Sequence, residues 1–176
     1  LGGALPARRL VAEAGAQPVL PGALFHRCAA DVDRKDLSVT PDRRHLVMFV
    51  KAPRLGLVKT RLARDIGQVR AWQFYRRTLR ALAPRLAADT RWQTYLATTG
   101  GKARWPGRAQ LIDQGGGSLG ERMARVMRVL PVGPVVIVGS DIPGIERRHI
   151  AEAFKALGKS DTVFGPAADG GYWLVG

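Results

Sequence analysis

The chain carries a single cysteine, Cys28, among 176 residues. One thiol excludes an internal disulfide framework and fits a reducing compartment. Long apolar runs are also missing: no uninterrupted stretch approaches the roughly 20 residues of a membrane-spanning helix. The first apolar residues are broken by Arg8, Arg9, Glu13 and Pro18. They do not read as a secretory signal, and a cytoplasmic protein is expected. Histidine is scarce: His26, His45 and His149 stand far apart without ligand spacing and receive no role. Serine-hydrolase elbows, zinc-type spacings and a dinucleotide glycine fingerprint are all absent.

Acids are the other shortage. Fourteen Asp and Glu face 28 Lys and Arg, giving a net charge of +14 and a pI near 11.3. Of the basic residues, 21 lie in 46–176 against 9 acids there, and Arg outnumbers Lys 22 to 6. Such a charge attracts nucleic acid, acidic lipid head groups or nucleotide phosphates, and does not choose among them. An arginine-rich composition also follows from a GC-rich genome. No nucleic-acid-binding module is recognisable, and aromatics are not interleaved along a basic face. Non-catalytic nucleic-acid binding is therefore kept as a lesser alternative.

What is present suits one folded domain: 46% hydrophobic and 24% charged residues are ordinary values. Residues 1–45 hold scattered Pro and Gly and apolar patches without period. They are expected to form a poorly ordered or loosely attached extension. From residue 46 strands and helices alternate. Leu46–Val50 predicts a buried strand, and Ala71, Phe74, Tyr75, Thr78, Leu79, Leu82 and Leu86 mark an amphipathic helix. Arg70, Arg76, Arg77, Arg80 and Arg85 fall mainly on its polar side, read as a solvated face. Further strands are expected at 92–98, 109–112, 134–140, 162–164 and 172–175, with helices over 119–130 and through Ala151, Phe154 and Leu157. This order predicts a three-layer α/β/α fold with a mostly parallel sheet. Gly176 falls within an expected strand, so the domain 46–176 reads as truncated at its C-terminal end.

Four segments carry chemistry. The apolar run Val135–Val138 releases Asp141 into a turn made by Pro143 and Gly144. Ligands of open α/β sheets sit beyond the carboxyl ends of such strands, where an acid suits a metal held against phosphate. Capping of the following helix is the competing reading. After the first strand, Lys51, Arg54, Lys59 and Arg61 share one loop with Pro53 and Gly56, an arrangement fit for a diphosphate. Val58 stands where a Walker A loop needs glycine. Gly115, Gly116 and Gly117 lead into a helix start that suits an anion or a base edge, while Ser118 and Glu121 fit a capping box. Finally, Asp169 lies between Phe164 and Tyr172 beside Gly170 and Gly171, which suits either a second metal-binding acid or a plain hairpin turn. Trp72, Trp92 and Trp105 read as core or surface anchors, whereas Tyr172 and Trp173 could contact a base or sugar.

In order, Phe49-Val-Lys-Ala-Pro53, Val58-Lys-Thr-Arg-Leu-Ala63, Leu119-Gly-Glu-Arg-Met123, Val138-Gly-Ser-Asp-Ile-Pro-Gly144 and Gly165-Pro-Ala-Ala-Asp-Gly-Gly-Tyr172 resemble DUF2064. This is a bacterial family of glycosyltransferase-like proteins, also described as a transferase type associated with arsenosugar biosynthesis. The resemblance covers about 46–176. It implies the GT-A fold of nucleotide-diphospho-sugar transferases and, more distantly, is similar to guanylyltransferases that make 2-phospholactate and molybdenum-cofactor dinucleotides. It further implies that Lys51, Lys59 and Arg61 hold nucleotide phosphates, with Gly56, Gly120 and Glu121 in the same binding set. Asp141 takes the place of the metal-binding acid and Asp169 that of a second, near metal or acceptor. The family tends to carry an acid where this chain has Ser118.

The expected activity is Mg²⁺- or Mn²⁺-dependent glycosyl transfer from a nucleotide-sugar to a small-molecule acceptor. Nucleotidyl transfer from an NTP to a phosphorylated small molecule is the alternative. Donor base, sugar, acceptor, stereochemistry and oligomeric state are not legible in the residues.

Overall fold

The computed structural model describes residues 43–168 and 170–176. The expectation of a loosely attached extension falls almost wholly outside these residues, as does Asp169. Residues 43–45 already belong to the folded part, because the Arg44 carbonyl accepts from the Gln93 amide at 2.9 Å. Six strands form one sheet: β1 (His45–Lys51), β2 (Gln93–Thr99), β3 (Gln110–Asp113), β4 (Val135–Gly139), β5 (Phe164–Pro166) and β6 (Tyr172–Val175). Four helices accompany them: α1 (Thr60–Ile66), α2 (Gln68–Ala87), α3 (Leu119–Val129) and α4 (Arg147–Leu157). The spatial order is β3-β2-β1-β4-β6-β5. Pairs β1–β2, β1–β4 and β2–β3 are parallel, whereas β6 runs antiparallel to both β4 and β5. The sheet is thus mostly parallel, as the sequence predicts.

Strand geometry sends alternate side chains to opposite faces. In β1, Leu46, Met48 and Val50 join the core on one face, and Val47 the core on the other. Val136 and Val138 against Ile137 repeat the pattern in β4. Tyr75, Leu79, Leu82 and Leu86 of α2, with Ile150 and Phe154 of α4, cover the first face. Val126 of α3 and the following Leu130 cover the second. Burial on both faces explains why β1 and β4 are apolar throughout instead of alternating. Three layers result. No described helix is long and apolar enough to cross a membrane.

Two stretches depart from a simple alternation of strand and helix. The basic segment after β1 does not stay a loop to Leu62 but turns helical at Thr60. Between β2 and β3 no helix forms; Gly100, Gly101 and Gly107 all adopt φ above +80° there, and Pro106 interrupts further, so the chain cannot settle into a helix.

The topology itself positions a ligand crevice. From β1 the chain proceeds to β2 and β3 on one side, while β4 lies on the other. The order therefore reverses between β1 and β4, and in open α/β sheets the crevice beyond the strand ends at such a switch point is where ligands bind.

Candidate functional site

Asp141 leaves the sheet at that crevice. Val136 and Val138 are fully enclosed, Ser140 is still buried, and Asp141 surfaces with 37% of its side chain exposed. Glycine at 139 matters here. A Cβ there would stand 3.0 Å from Asp141 Oδ1, so the missing side chain gives the carboxylate room to fold back. Asp141 does not cap the next helix: the N-cap of α4 is Glu146, whose amide donates to His149 Nδ1 at 3.1 Å. The carboxylate instead pairs with the Lys59 ammonium, joining the loop after β1 to the loop after β4.

Lys59 reaches Asp141 from an unusual backbone. Its φ of 51° makes it the one non-glycine residue at positive φ among those described, at a cost of about 1 kcal/mol for an L-residue. Burial pushes its ammonium below the ordinary lysine pKa; the Asp141 carboxylate opposes that shift by favouring the charged form. Lys59 is thus a partly dehydrated cation held in a strained conformation against a carboxylate, unlike a freely solvated surface lysine.

A hydroxyl links the same two strand ends. Tyr75 of α2 donates to the Lys51 carbonyl at 2.9 Å and accepts from the Lys51 amide at 2.8 Å. Ser140 Oγ lies 3.4 Å from the same oxygen. Burial raises the Tyr75 pKa, so the phenol stays neutral and keeps its proton for the carbonyl. Lys51 is exposed beside this knot, and its Cγ would lie 3.3 Å from a Cβ at Gly100. Gly56 turns the loop at φ 76°, close to Gln68 Oε1. Arg61 is exposed on the first turn of α1 and has no hydrogen bond or ion pair among the described residues.

The glycine segment after β3 is built by three side chains. Gln114 is 2% exposed; its Nε2 donates to the Val50 carbonyl at 3.1 Å and the Ala97 carbonyl at 2.6 Å. Arg122 donates to its Oε1 at 3.0 Å. Arg125 reaches back to the Gln114 and Gly116 carbonyls at 2.7 and 2.9 Å. The loop is therefore tied to the ends of β1 and β2 on one side and to α3 on the other. Ser118 caps α3 as expected: its Oγ accepts from the Glu121 amide, and Glu121 Oε2 accepts from the Ser118 amide at 2.7 Å. These bonds hold the Glu121 carboxyl below its ordinary pKa and commit it to the helix start. Gly120 is exposed with open space around it.

The remaining wall is a hairpin. Register pairs Val138 with Leu174, so the start of β6 stands beside the end of β4. The turn before it closes through Ala167 N–H to the Gly171 carbonyl at 2.8 Å and Gly170 N–H to the Ala167 carbonyl at 3.2 Å. Tyr172 is exposed at this mouth, while Trp173 packs edge-on against His149 at 6.2 Å.

Of the sequence candidates, Lys59 and Asp141 are brought into contact; Lys51 and Gly56 share their loop, and Gly120 and Glu121 stand at the start of α3. Tyr75 and Gln114 were missed. Tyr75 reads as one more member of an apolar stripe, and nothing in its local sequence signals that its hydroxyl reaches the end of β1. Gln114, directly before three glycines, carried a clearer signal.

The fold is a three-layer α/β domain in which Lys59 and Asp141 meet at the topological switch point of the sheet. The family described as "Uncharacterized protein conserved in bacteria (DUF2064)" matches residues 77–176, more than half the chain, and the chain belongs to this family. It is similar to the crystal structure of a candidate nucleotide-diphospho-sugar transferase from Desulfovibrio desulfuricans G20, at 32% identity and a TM-score of 0.67. That likeness covers 75% of this chain and 62% of the other, so the chain spans less than two thirds of that relative's length. No curated protein matches.

Proposed function

We propose that residues 46–176 form the nucleotide-binding domain of a transferase that moves a sugar from a nucleotide-activated donor to a small-molecule acceptor. The observation that carries this reading is the Lys59–Asp141 pair at the crevice between β1 and β4. Likeness to a candidate nucleotide-diphospho-sugar transferase supports it.

In this reading Lys51, Lys59 and Arg61 face the diphosphate of the donor. Their work is electrostatic: charge builds on the departing nucleoside diphosphate in the transition state, and cations fixed in advance stabilise it there. Gly56 lets the loop backbone approach the phosphates, and Gly120 leaves the head of α3 open. Glu121 acts by holding that helix start.

The donor set also bears on a metal. Among the described residues no cluster of three His, Cys, Asp or Glu side chains exists. A single hard carboxylate such as Asp141 fits Mg²⁺ or Mn²⁺, which take one or two carboxylates and complete their shell with phosphate oxygens and water. Asp141, with Asp169, would hold the ion, which would supply Lewis-acid neutralisation of the leaving diphosphate. Lys59, paired with Asp141, would turn to a donor phosphate when that carboxylate is engaged elsewhere.

The test is thermal stability against UDP, GDP, CDP, ADP and the matching triphosphates, with and without Mn²⁺, on wild type and Asp141→Asn. A ligand that binds the native state raises the melting temperature by about 2.7 kcal/mol of added stability at a hundredfold excess over its dissociation constant. The expected outcome is a metal-dependent shift for one base, lost in Asp141→Asn. Equal shifts for every polyanion, indifferent to metal and mutation, would refute the site. Turnover then separates the reactions: glycosyl transfer releases a nucleoside diphosphate, and nucleotidyl transfer releases pyrophosphate.

A further inference from the structure

A second concave site lies away from Asp141, between α2 and the irregular segment that joins β2 to β3. This cleft holds about 500 Å³ and is lined by Pro53, Trp72, Leu79, Trp105 and Pro106 together with five cations, Arg54, Arg76, Arg80, Lys102 and Arg104. No acid lines it. Among the described residues none of the five cations has an ion pair or hydrogen bond, in contrast to Arg91, Arg148 and Lys59, which pair with carboxylates.

Five like charges around one cavity repel each other unless an anion joins them. Two features hold the cations in place. The Arg76 guanidinium lies over the Trp72 ring, 4.3 Å from its centroid, and Trp72 is itself fixed by its indole N–H donating to the Pro53 carbonyl at 2.6 Å. Arg54 rests against Gly101, where a Cβ would come within 2.8 Å of its Nη2. The Trp105 indole N–H has no partner among the described residues and adds a neutral donor to the wall. Aromatic and proline surface supplies the apolar remainder. Arg76 and Arg80 of α2 line this cleft, Arg80 exposed and Arg76 stacked on Trp72, and Trp72 and Trp105 stand among its cations.

We infer that this cleft binds a small phosphorylated molecule with a flat apolar group, its phosphate gripped by the arginines and its ring seated against Trp72 or Trp105. The volume suits one ligand of that size. It is a bounded pocket, not an extended track, which favours a small molecule over a nucleic-acid strand. The cleft shares Pro53 and Arg54 with the basic loop after β1 but is lined by neither Lys59 nor Asp141.

The test is calorimetric titration of the full chain with 1-naphthyl phosphate, 1-naphthol and inorganic phosphate, followed in parallel by tryptophan fluorescence. Arg80→Ala/Arg104→Ala is the informative variant: both side chains are exposed and bond to no described residue, so circular dichroism should report an unchanged fold. Saturable one-to-one binding of naphthyl phosphate is expected, at least about tenfold tighter than either fragment, since ring and charged hydrogen bonds each contribute. The double variant should weaken it by at least about tenfold, Trp105→Phe should reduce the fluorescence change, and Asp141→Asn should leave affinity intact. Equal affinity in the double variant would overturn the inference. So would loss of binding in Asp141→Asn, which assigns the probe to the donor crevice, or affinity for oligonucleotides that grows with their length.

Discussion

Replacing Gln114 by Met tests how the crevice is assembled. Methionine nearly matches glutamine in volume, so the change removes hydrogen bonds without opening a large cavity. Two main-chain carbonyls, Val50 and Ala97, lose a donor at 3.1 and 2.6 Å in a site only 2% exposed. Each buried hydrogen bond lost costs about 1–2 kcal/mol. Arg122 loses its contact to Oε1 as well, but that guanidinium is half-buried and water replaces most of the bond. The sum is about 2–4 kcal/mol, or about 8–15 °C in melting temperature for a folded unit of this size. Urea unfolding with a paired Arg122→Met control is the assay; the control should cost less than about 1 kcal/mol. The Gly115–Gly117 loop loses its tie to β1 and β2, so the stabilisation given by the responding nucleotide should fall too. A stability loss under about 0.5 kcal/mol, the range of an ordinary surface change, would refute the reasoning and make Gln114 a bystander.

Two further predictions concern the amino ends of the central strands β1 and β4. His45 is fully buried against Tyr95, its ring nitrogens make no well-formed hydrogen bond among the described residues, and burial lowers its pKa below 6.5, with the nearby Val132 backbone opposing that and the Arg43 charge adding to it. The unfolded chain then binds more protons below pH 6.5, so stability should fall as pH drops from 6.5 through the lowered value. Denaturation at pH 7.5, 6 and 5 should show a steeper loss for wild type than for His45→Leu, and parallel curves would contradict this. Gly133→Ala would place a Cβ 2.2 Å from the Arg43 carbonyl, while Gly116→Ala meets nothing within 4 Å. The first should cost about 1–3 kcal/mol, as overpacking does, and the second little; equal melting temperatures would show that the backbone at 133 yields.

Elements with strong burial patterns were legible. β1 and β4 are sandwiched between helical layers, and that double burial writes itself as unbroken Val, Ile, Leu, Met and Phe. Helix α2 buries seven residues at helical spacing, so its period shows. Helix α1 buries none, has no acid in its first turn, and is entered through a lysine in a left-handed conformation; nothing local announces it. The site was legible only in halves. Lys59 and Asp141 each sit in a recognisable segment, but 82 residues separate them, and no local signal reports that they touch. The basic face of α2 shows the same limit. Its period is local, but the Lys102–Pro106 segment that turns the face into a cleft comes from beyond β2. Polar tips on apolar surroundings, the Tyr75 hydroxyl and the Gln114 amide, are invisible to a hydrophobic pattern by construction.

Helix α2 serves two cavities at once. Tyr75 fastens it to the ends of β1 and β4, and Trp72, Arg76, Leu79 and Arg80, on neighbouring turns, wall the basic cleft. If filling one cavity shifts this shared rod, the wall offered to the other moves with it. Any coupling between two guests would then be reciprocal, each altering the other's affinity by one common factor.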